Sequence, residues 1–381
     1  MRIRYISPSV IPSKSANSVH VINQCVALCQ SGHEVTLHSL RPSYRPDDLN
    51  SDIIKRYGIS HLNLKVLSVY NPLPFGGNLL LAISAILHVL FQSEAEGIVS
   101  RNLYAAFLIS IFSNQRVVYE THQLEFGWKK LLQRSISARS HVRTIFVSRG
   151  LRDDFQTYHA LKLSHATVLH DAARDGISVV PLNLRRPLLS KEIGIRTNQW
   201  SNTVGYFGSL NQGRGINIIF ELATAKKDTL FLVCGHQVEK DVSEHLKSLE
   251  NILYLGHLPH QRALTIMRLL DVLLLPYQRD VSIGAGAAST VRWMSPMKMF
   301  EYLASGVPVI ASRLSVLEEV LEHRRNCLLA NPADVNEWLN HLNELRDNPR
   351  LAVQLGSSAH DDYRRCYTWS KRASIIVQLL G

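Results

Sequence analysis

The residues with the most chemical content run from Ser295 to Ser312, S-P-M-K-M-F-E-Y-L-A-S-G-V-P-V-I-A-S. Ser295 is an N-cap type and Pro296 suits a first helical position, so the pattern predicts a helix starting there with its unpaired amides facing outward. Such an end, around Ser295, Pro296, Met297 and Lys298, suits an anion and phosphate in particular. Glu301 falls on the second turn, where a carboxylate can accept hydrogen bonds from both vicinal hydroxyls of a ribose. The same glutamate taken alone is equally a solvated helix residue. Ser305-Gly306 ends the helix, and Val307–Ile310 returns to a sheet.

A second stretch, Val204 to Gly215 (V-G-Y-F-G-S-L-N-Q-G-R-G), reads as a strand, a glycine-rich turn and a helix entry. Gly208, Ser209 and Gly215 are small enough for backbone to approach a ligand, and Arg214 adds a cation beside the helix start. Diphosphate fits that description. In V-V-Y-E-T-H-Q, residues 117–123, His122 stands just past a strand end, where a neutral imidazole can orient hydroxyls or hydrogen-bond an incoming group. No D-x-D triplet occurs and no cluster of His, Cys and carboxylates has ligand spacing, so no essential metal or other cofactor is expected.

These residues need a scaffold, and the chain supplies two alternations of strand and helix. Arg4–Ser7, His33–His38, Leu64–Leu67, Gly97–Ser100, Arg116–Tyr119 and Arg143–Val147 are short apolar strands in the first half, with Ser18–Gln30 as the first crossover helix. The pattern loosens between Asp171 and Gln199 and restarts at Thr203–Gly208, with further strands at Leu230–Val233, Ile252–Leu255, Val272–Leu275 and Val307–Ile310. The fold class is therefore α/β: two Rossmann-like, doubly wound domains, with ligands expected beyond the carboxyl ends of the strands in the cleft between them. The predicted boundaries are 1–180, a linker at 181–200, and 201–362, with 363–381 as a terminal helix. The apolar run Leu79–Phe91, broken by Ser84 and His88, is too short to span a bilayer and is predicted to be a buried helix.

Composition narrows the classes further. Of 381 residues, 46% are apolar and only 19% charged, which excludes long disorder. The net charge of +11 is lopsided: residues 1–198 hold 23 basic and 13 acidic side chains, whereas the remainder is nearly balanced. The basic character is densest from Trp128 to Arg143, where cations interleave with apolar residues as on an interfacial helix, so 128–143 is a candidate contact with an anionic membrane surface. Five scattered cysteines form no C-x-x-C pair, and Cys25 and Cys29, which share a helix face, are read as core thiols rather than ligands. Met1–Ile6 passes straight into a strand with no export signal, and a cytoplasmic location, peripheral on the inner face of the membrane, is the expectation.

On the 300–311 run, F-E-Y-L-A-S-G-V-P-V-I-A, the sequence resembles the nucleotide-sugar-dependent glycosyltransferases of family 4, which have the two-domain GT-B fold. The run is similar to the end of that family's E-x7-E motif, whose second glutamate, Glu301 here, binds the donor ribose. The motif's first acid would fall at Trp293, and Asp280 is the nearby carboxylate that could replace it. The 204–215 loop resembles the family's diphosphate loop, with Arg214-Gly215 matching its second cation and Ser209 in place of its first, for which Lys298 could compensate. His122 matches the position near the donor sugar and the reacting groups. Ser13–Ser18 occupies the place of a glycine pair near donor phosphate and acceptor, which makes Asn17 and Ser18 the acceptor-side candidates. Residues 367–373, Y-T-W-S-K-R-A, resemble the start of the family's final helix, which crosses back onto the N-terminal domain.

The resemblance implies retaining transfer of a hexosyl-type unit from a nucleoside diphosphate sugar to a glycan or lipid-linked acceptor, in polysaccharide, lipopolysaccharide or glycolipid assembly. His122, Arg214 and Lys298 would then be the catalytic candidates. The alternatives are a non-catalytic binding protein of the same fold, favoured by Trp293 and Ser209, and a nucleotide-sugar epimerase. An NAD-dependent dehydrogenase is disfavoured because Pro8-Ser9-Val10-Ile11-Pro12 stands where a G-x-G-x-x-G turn belongs. No motif of a nucleic-acid reader accompanies the charge.

Overall fold

The computed structural model describes residues 1–43, 48–59, 64–71, 75–91, 95–236, 240–280 and 291–381. They divide into two units, Met1–Asp171 with Thr368–Gly381, and Ala172–Tyr367. The first alternates β1 (Arg2–Val10), α1 (Ala16–Gln30), β2 (Glu34–Leu40), α2 (Leu49–Tyr57), β3 (Leu64–Val69), α3 (Gly77–Phe91), β4 (Gly97–Ser100), α4 (Leu103–Phe112), β5 (Val117–Thr121), α5 (Lys129–Ser137), β6 (Val142–Phe146), α6 (Arg149–His159) and β7 (Ala166–Val168). The second contains α7 (Leu182–Ile193), β8 (Asn202–Phe207), α8 (Ile216–Ala225), β9 (Thr229–Cys234), α9 (Lys240–Ser248), β10 (Ile252–Gly256), α10 (His260–Met267), β11 (Val272–Leu275), α11 (Met297–Ser305), β12 (Val309–Ser312), β13 (Leu328–Ala330), α12 (Val335–Asp347) and α13 (Pro349–Cys366). The chain then returns to the first unit as α14 (Trp369–Leu380).

Both sheets are parallel, in the orders β3-β2-β1-β4-β5-β6-β7 and β10-β9-β8-β11-β12-β13. Each winds outward from its first strand and then reverses, between β1 and β4 and between β8 and β11. Those two reversals are where a doubly wound sheet opens a crevice at its carboxyl edge. Strand residues point alternately to two covered faces, which is why the strands are apolar throughout. In the second unit Val204 and Tyr206 join a core with α8 and Trp338 of α12, while Phe207, Leu273 and Leu275 join one with Phe300 and Leu303 of α11. Side-chain oxygens cap helix starts as the sequence suggests: Ser15 accepts from the Ser18 amide, Asn102 from Ala105, Ser148 from Leu151 and Thr368 from Lys371.

Three expectations need correction. Residues 181–200 are not an irregular linker, because α7 occupies most of them and belongs to the second unit. Arg185, which made the segment look polar, is buried; its guanidinium donates to the carbonyls of Val180, Leu270 and Gly306 at 3.0, 3.3 and 3.3 Å. Arg186 beside it pairs with Asp271 at 2.7 Å. The units change at 171/172 and 367/368 rather than at 180/181 and 362/363. Helix α3 forms as expected but is only half buried: Leu81, Ala82, Ala85, Ile86 and Val89 pack inward while Leu79, Ile83, Leu87 and Leu90 face out.

If α7 is a clamped part of the second unit, Arg185→Leu leaves three buried carbonyls without their donor. It should lower stability by about 1.5–3 kcal/mol in urea unfolding. A substitution in a solvated linker would change stability by less than about 0.5 kcal/mol.

Candidate functional site

In the second unit, the crevice between β8 and β11 gathers most of the residues the sequence singles out. Gly208 follows β8 and Pro276-Tyr277 follows β11, so both loops leave the carboxyl edge side by side. The Gly208 turn is pinned by the Tyr206 hydroxyl, which donates to the Ser209 carbonyl at 2.6 Å. Gly215 has φ +81°, and a Cβ there would lie 1.8 Å from the Pro276 carbonyl oxygen, so only glycine lets the two loops meet. Lys298, on the first turn of α11, reaches the same turn: a Cβ on Gly208 would lie 2.7 Å from its Nζ.

Two tyrosine rings hold the cations. Lys298 Nζ stands 4.3 Å from the Tyr206 centroid and 4.6 Å from the Tyr277 centroid, and the Arg214 guanidinium lies 5.0 Å from the Tyr277 centroid. Burial, then the like charge of Arg214, press the Lys298 ammonium well below its usual pKa, and Glu301 offsets this in part. The structure thus concentrates positive charge where Ser209 supplies none. α11 begins one residue later than expected, with Pro296 as N-cap, and no side chain caps it. Ser295 therefore lies outside the helix, and Met297 is its first residue. α8 likewise starts after Gly215 with no side-chain cap. Uncapped amides and two cations are the features of this edge that suit an anion.

One turn along α11, the Glu301 carboxylate is mostly buried and accepts a 2.6 Å hydrogen bond from His260 Nε2 at the start of α10. The Arg174 guanidinium also acts on it electrostatically. Glu301 is thus no solvated helix residue. A carboxylate has about four acceptor directions, so after His260 takes one, a diol can still be bound. Trp293, eight positions before Glu301, brings no carboxylate, and Asp280 is exposed on the segment after β11.

In the first unit, His122 follows β5 as expected, but it is the outer member of a buried charge cluster. Glu120, wholly inaccessible, lies 2.7 Å from His122 Nε2, 3.2 Å from His20 Nε2, 3.4 Å from Arg101 Nε and 3.1 Å from Arg372 Nη2. His20 Nδ1 in turn meets Asp171 at 2.9 Å. Burial alone would raise the Glu120 carboxyl, but Arg372, His20 and Arg101 hold it well below the usual carboxylate range. Burial and then Arg101 press His122 down to about 4, with Glu120 opposing more weakly. Arg101 Nη2 also stands 2.8 Å from His122 Nε2. That nitrogen serves one neighbour at a time, donating to Glu120 as N–H or accepting from Arg101 through its lone pair. The ring is neutral at physiological pH, and its tautomer responds to whatever approaches Nδ1.

His20, Glu120 and His122 also bring three ligand-type atoms within 4.8 Å of one another. A metal ion there would sit against two guanidinium groups on the same carboxylate, so the donor set does not suit a cation. Of the acceptor-side residues, Ser18 is buried and its hydroxyl donates to the carbonyls of Ser13 and Ser15, whereas Asn17 is exposed and donates to Ser9 Oγ at 2.7 Å. Ser18 is a structural part of the turn, and Asn17 is the one that faces solvent.

Residues 216–378 match a family described as "Glycosyl transferase-like". Over 194 residues the chain is 21% identical to a D-inositol 3-phosphate glycosyltransferase of Corynebacterium urealyticum, covering 47% of this chain and 42% of the relative. The matched stretches span less than half the length of the curated relatives. Across whole chains the structure is similar to sucrose-phosphate synthase of Thermosynechococcus elongatus, with TM-score 0.74 and 14% identity over 99% of this chain and 98% of that one. It is also similar to HepE of Anabaena in complex with UDP, with TM-score 0.73 and 16% identity over 100% and 99%. At such identities the likeness concerns fold, and the fold is GT-B.

Two observables follow from the electrostatics. The C2–H resonance of His122 should hold its neutral-ring position from about pH 8 down to about 5.5, whereas an ordinary histidine would titrate in that window. An anion bound beside Lys298 favours its charged form, so nucleoside diphosphate binding should be coupled to proton uptake at any pH where the free lysine is partly neutral. Calorimetry in buffers of different ionisation enthalpy should register that uptake, and Lys298→Met should abolish it.

Proposed function

We propose that the chain is a retaining, family 4-type glycosyltransferase that moves a hexosyl-type unit from a nucleoside diphosphate sugar to a glycan or lipid-linked acceptor, in polysaccharide, lipopolysaccharide or glycolipid assembly. The observation that carries this reading is the pairing, on one helix, of a cation at the first turn and a hydrogen-bonded carboxylate at the second. Lys298 and Glu301, three residues apart on α11, would take the diphosphate and the ribose of one nucleotide. The glycosyltransferase-like match begins at the first residue of α8, immediately after Arg214-Gly215, and includes α11.

In this reading the Gly208, Ser209 and Gly215 backbone admits the diphosphate, Arg214 and Lys298 neutralise it, and Glu301, held by His260, takes the ribose hydroxyls. As the anomeric carbon–oxygen bond breaks, negative charge grows on the departing β-phosphate. Cations and amides already fixed at that place stabilise it without rearrangement. A helix end contributes about 0.3–2 kcal/mol and a charged hydrogen bond about 1.5–3 kcal/mol, so several must act together. The acceptor oxygen bonds to the anomeric carbon on the face the diphosphate leaves, and its proton passes to the departing phosphate oxygen. Neutral His122 orients hydroxyls of the sugar or acceptor through Nδ1, with Asn17 on the acceptor side. No metal is required, since Arg214 and Lys298 supply the charge.

The GT-B relative HepE was solved with UDP, which makes UDP the first nucleotide to test here. The protein acts in the cytoplasm, peripheral on the inner face of the membrane through 128–143. A non-catalytic reading has one observation in its favour, Trp293 at the place of the motif's first acid.

Titration with UDP, GDP and ADP tests the donor site. One nucleotide should bind, and Glu301→Ala should weaken it by about 1.5–3 kcal/mol, as should Arg214→Met. Binding of none of them would favour the non-catalytic reading.

A further inference from the structure

Helix α3 carries apolar residues on both sides, interrupted by Ser84 and His88, yet only one side is covered. Leu79, Leu80, Ile83, Leu87, Leu90 and Phe91 are between 40% and 80% exposed, and their spacing runs them along one face. A helix of this kind is ordinarily enclosed by protein or by lipid. Its neighbour α4 adds exposed Ile111 and Phe112, and α5 with its N-cap adds exposed Leu131 and Trp128. Contiguous exposure of this extent on a soluble protein marks a docking surface.

A groove of about 670 Å³ opens among the same three helices, walled by Leu40, Leu79, Phe107, Leu108 and Leu132. Trp128, stacked on Tyr104 at 5.9 Å, and Lys129 also line it. Leu40 ends β2, so the groove lies at the carboxyl edge of the first sheet, the edge from which His122 leaves β5. Its volume admits a hydrocarbon chain, and its lining is mostly apolar, with Asn71, Asn78 and Lys129 as its polar side chains besides the Tyr104 hydroxyl.

Charge identifies the occupant. α3, α4 and α5 together carry Lys129, Lys130 and Arg134 and no carboxylate. An acid-free apolar face edged with cations is complementary to an anionic bilayer. Among the described residues no helix is long and apolar enough to cross one, so contact is along the surface.

We infer that α3, α4 and α5 form a bilayer-docking face whose groove takes one hydrocarbon chain of an anionic lipid. This goes beyond the 128–143 segment, since most of the apolar area is on α3. It rests on the transferase reading only in making the lipid the acceptor; docking itself does not depend on that reading.

The test is co-sedimentation of the full chain with phosphatidylcholine vesicles, with and without phosphatidylglycerol. Vesicles containing phosphatidylglycerol should retain the protein, and salt raised to about 0.5 M should weaken retention. The double substitution Ile83→Asp/Leu87→Asp should reduce retention by about tenfold or more, and Lys129→Glu/Arg134→Glu by a similar factor. Chain-brominated phosphatidylglycerol should quench Trp128, identified by loss of the signal in Trp128→Phe. Nucleoside diphosphate titration of the same variants should be unchanged, which separates failure of docking from failure of the donor site. Equal retention on neutral vesicles, unaltered retention of both variants, or no quenching of Trp128 would overturn the inference. A concentration-dependent dimer that the α3 substitutions dissociate would also overturn it and assign the face to a second copy.

Discussion

Two cations crowded onto the same tyrosine ring are an arrangement that folding alone does not favour. Arg214 and Lys298 both lie over Tyr277, and burial and mutual repulsion act against the charge on Lys298. The surrounding structure enforces this strain. Gly215 lets the Arg214 loop press on Pro276, Gly208 leaves room for the Lys298 ammonium, and Tyr206 pins the turn beneath it. In the proposed donor site a bound polyanion would relieve the repulsion, which is how this arrangement would favour phosphate. The other features of the second unit follow from this requirement: uncapped helix starts facing the crevice, and a glutamate fixed by His260 one turn behind the lysine.

The first unit meets a different constraint. Glu120 is buried at the end of a central strand and could not remain ionised without partners. Arg372 is the decisive one. It spans Glu120, Gln24 and the His170 carbonyl at 3.1, 2.7 and 3.1 Å, so one guanidinium links α14 to both β5 and α1. Trp369 of the same helix meets His20 edge-on at 4.9 Å. Anchoring a terminal helix and fixing the His122 imidazole are thus one piece of chemistry.

Much of this was legible in the sequence because it is local. The strand and helix alternation, the two glycine turns, and the places of His122, Arg214, Lys298 and Glu301 follow from short-range patterns, and the elements match to within a few residues. What escaped is long-range or sided. Arg372 and its partner Gln24 are 348 residues apart, and no local pattern links them. Tyr206 and Tyr277 read as ordinary strand-end aromatics; only the fold brings them under one ammonium. His260 gave no signal at all, because its partner lies on another helix. Helix α7 looked like a linker because Arg185 and Arg186 read as polar surface, although both bind carbonyls or a carboxylate. Periodicity also cannot tell whether the second apolar side of α3 is covered.

The most direct test of the account is a crystal structure of the chain soaked with the nucleoside diphosphate it binds. The β-phosphate should lie in contact with Arg214, Lys298 and the backbone of the Gly208 turn, with both ribose hydroxyls on Glu301 and the His260–Glu301 hydrogen bond intact. A nucleotide bound elsewhere, or bound at this edge with its phosphates turned away from Arg214 and Lys298, would contradict it.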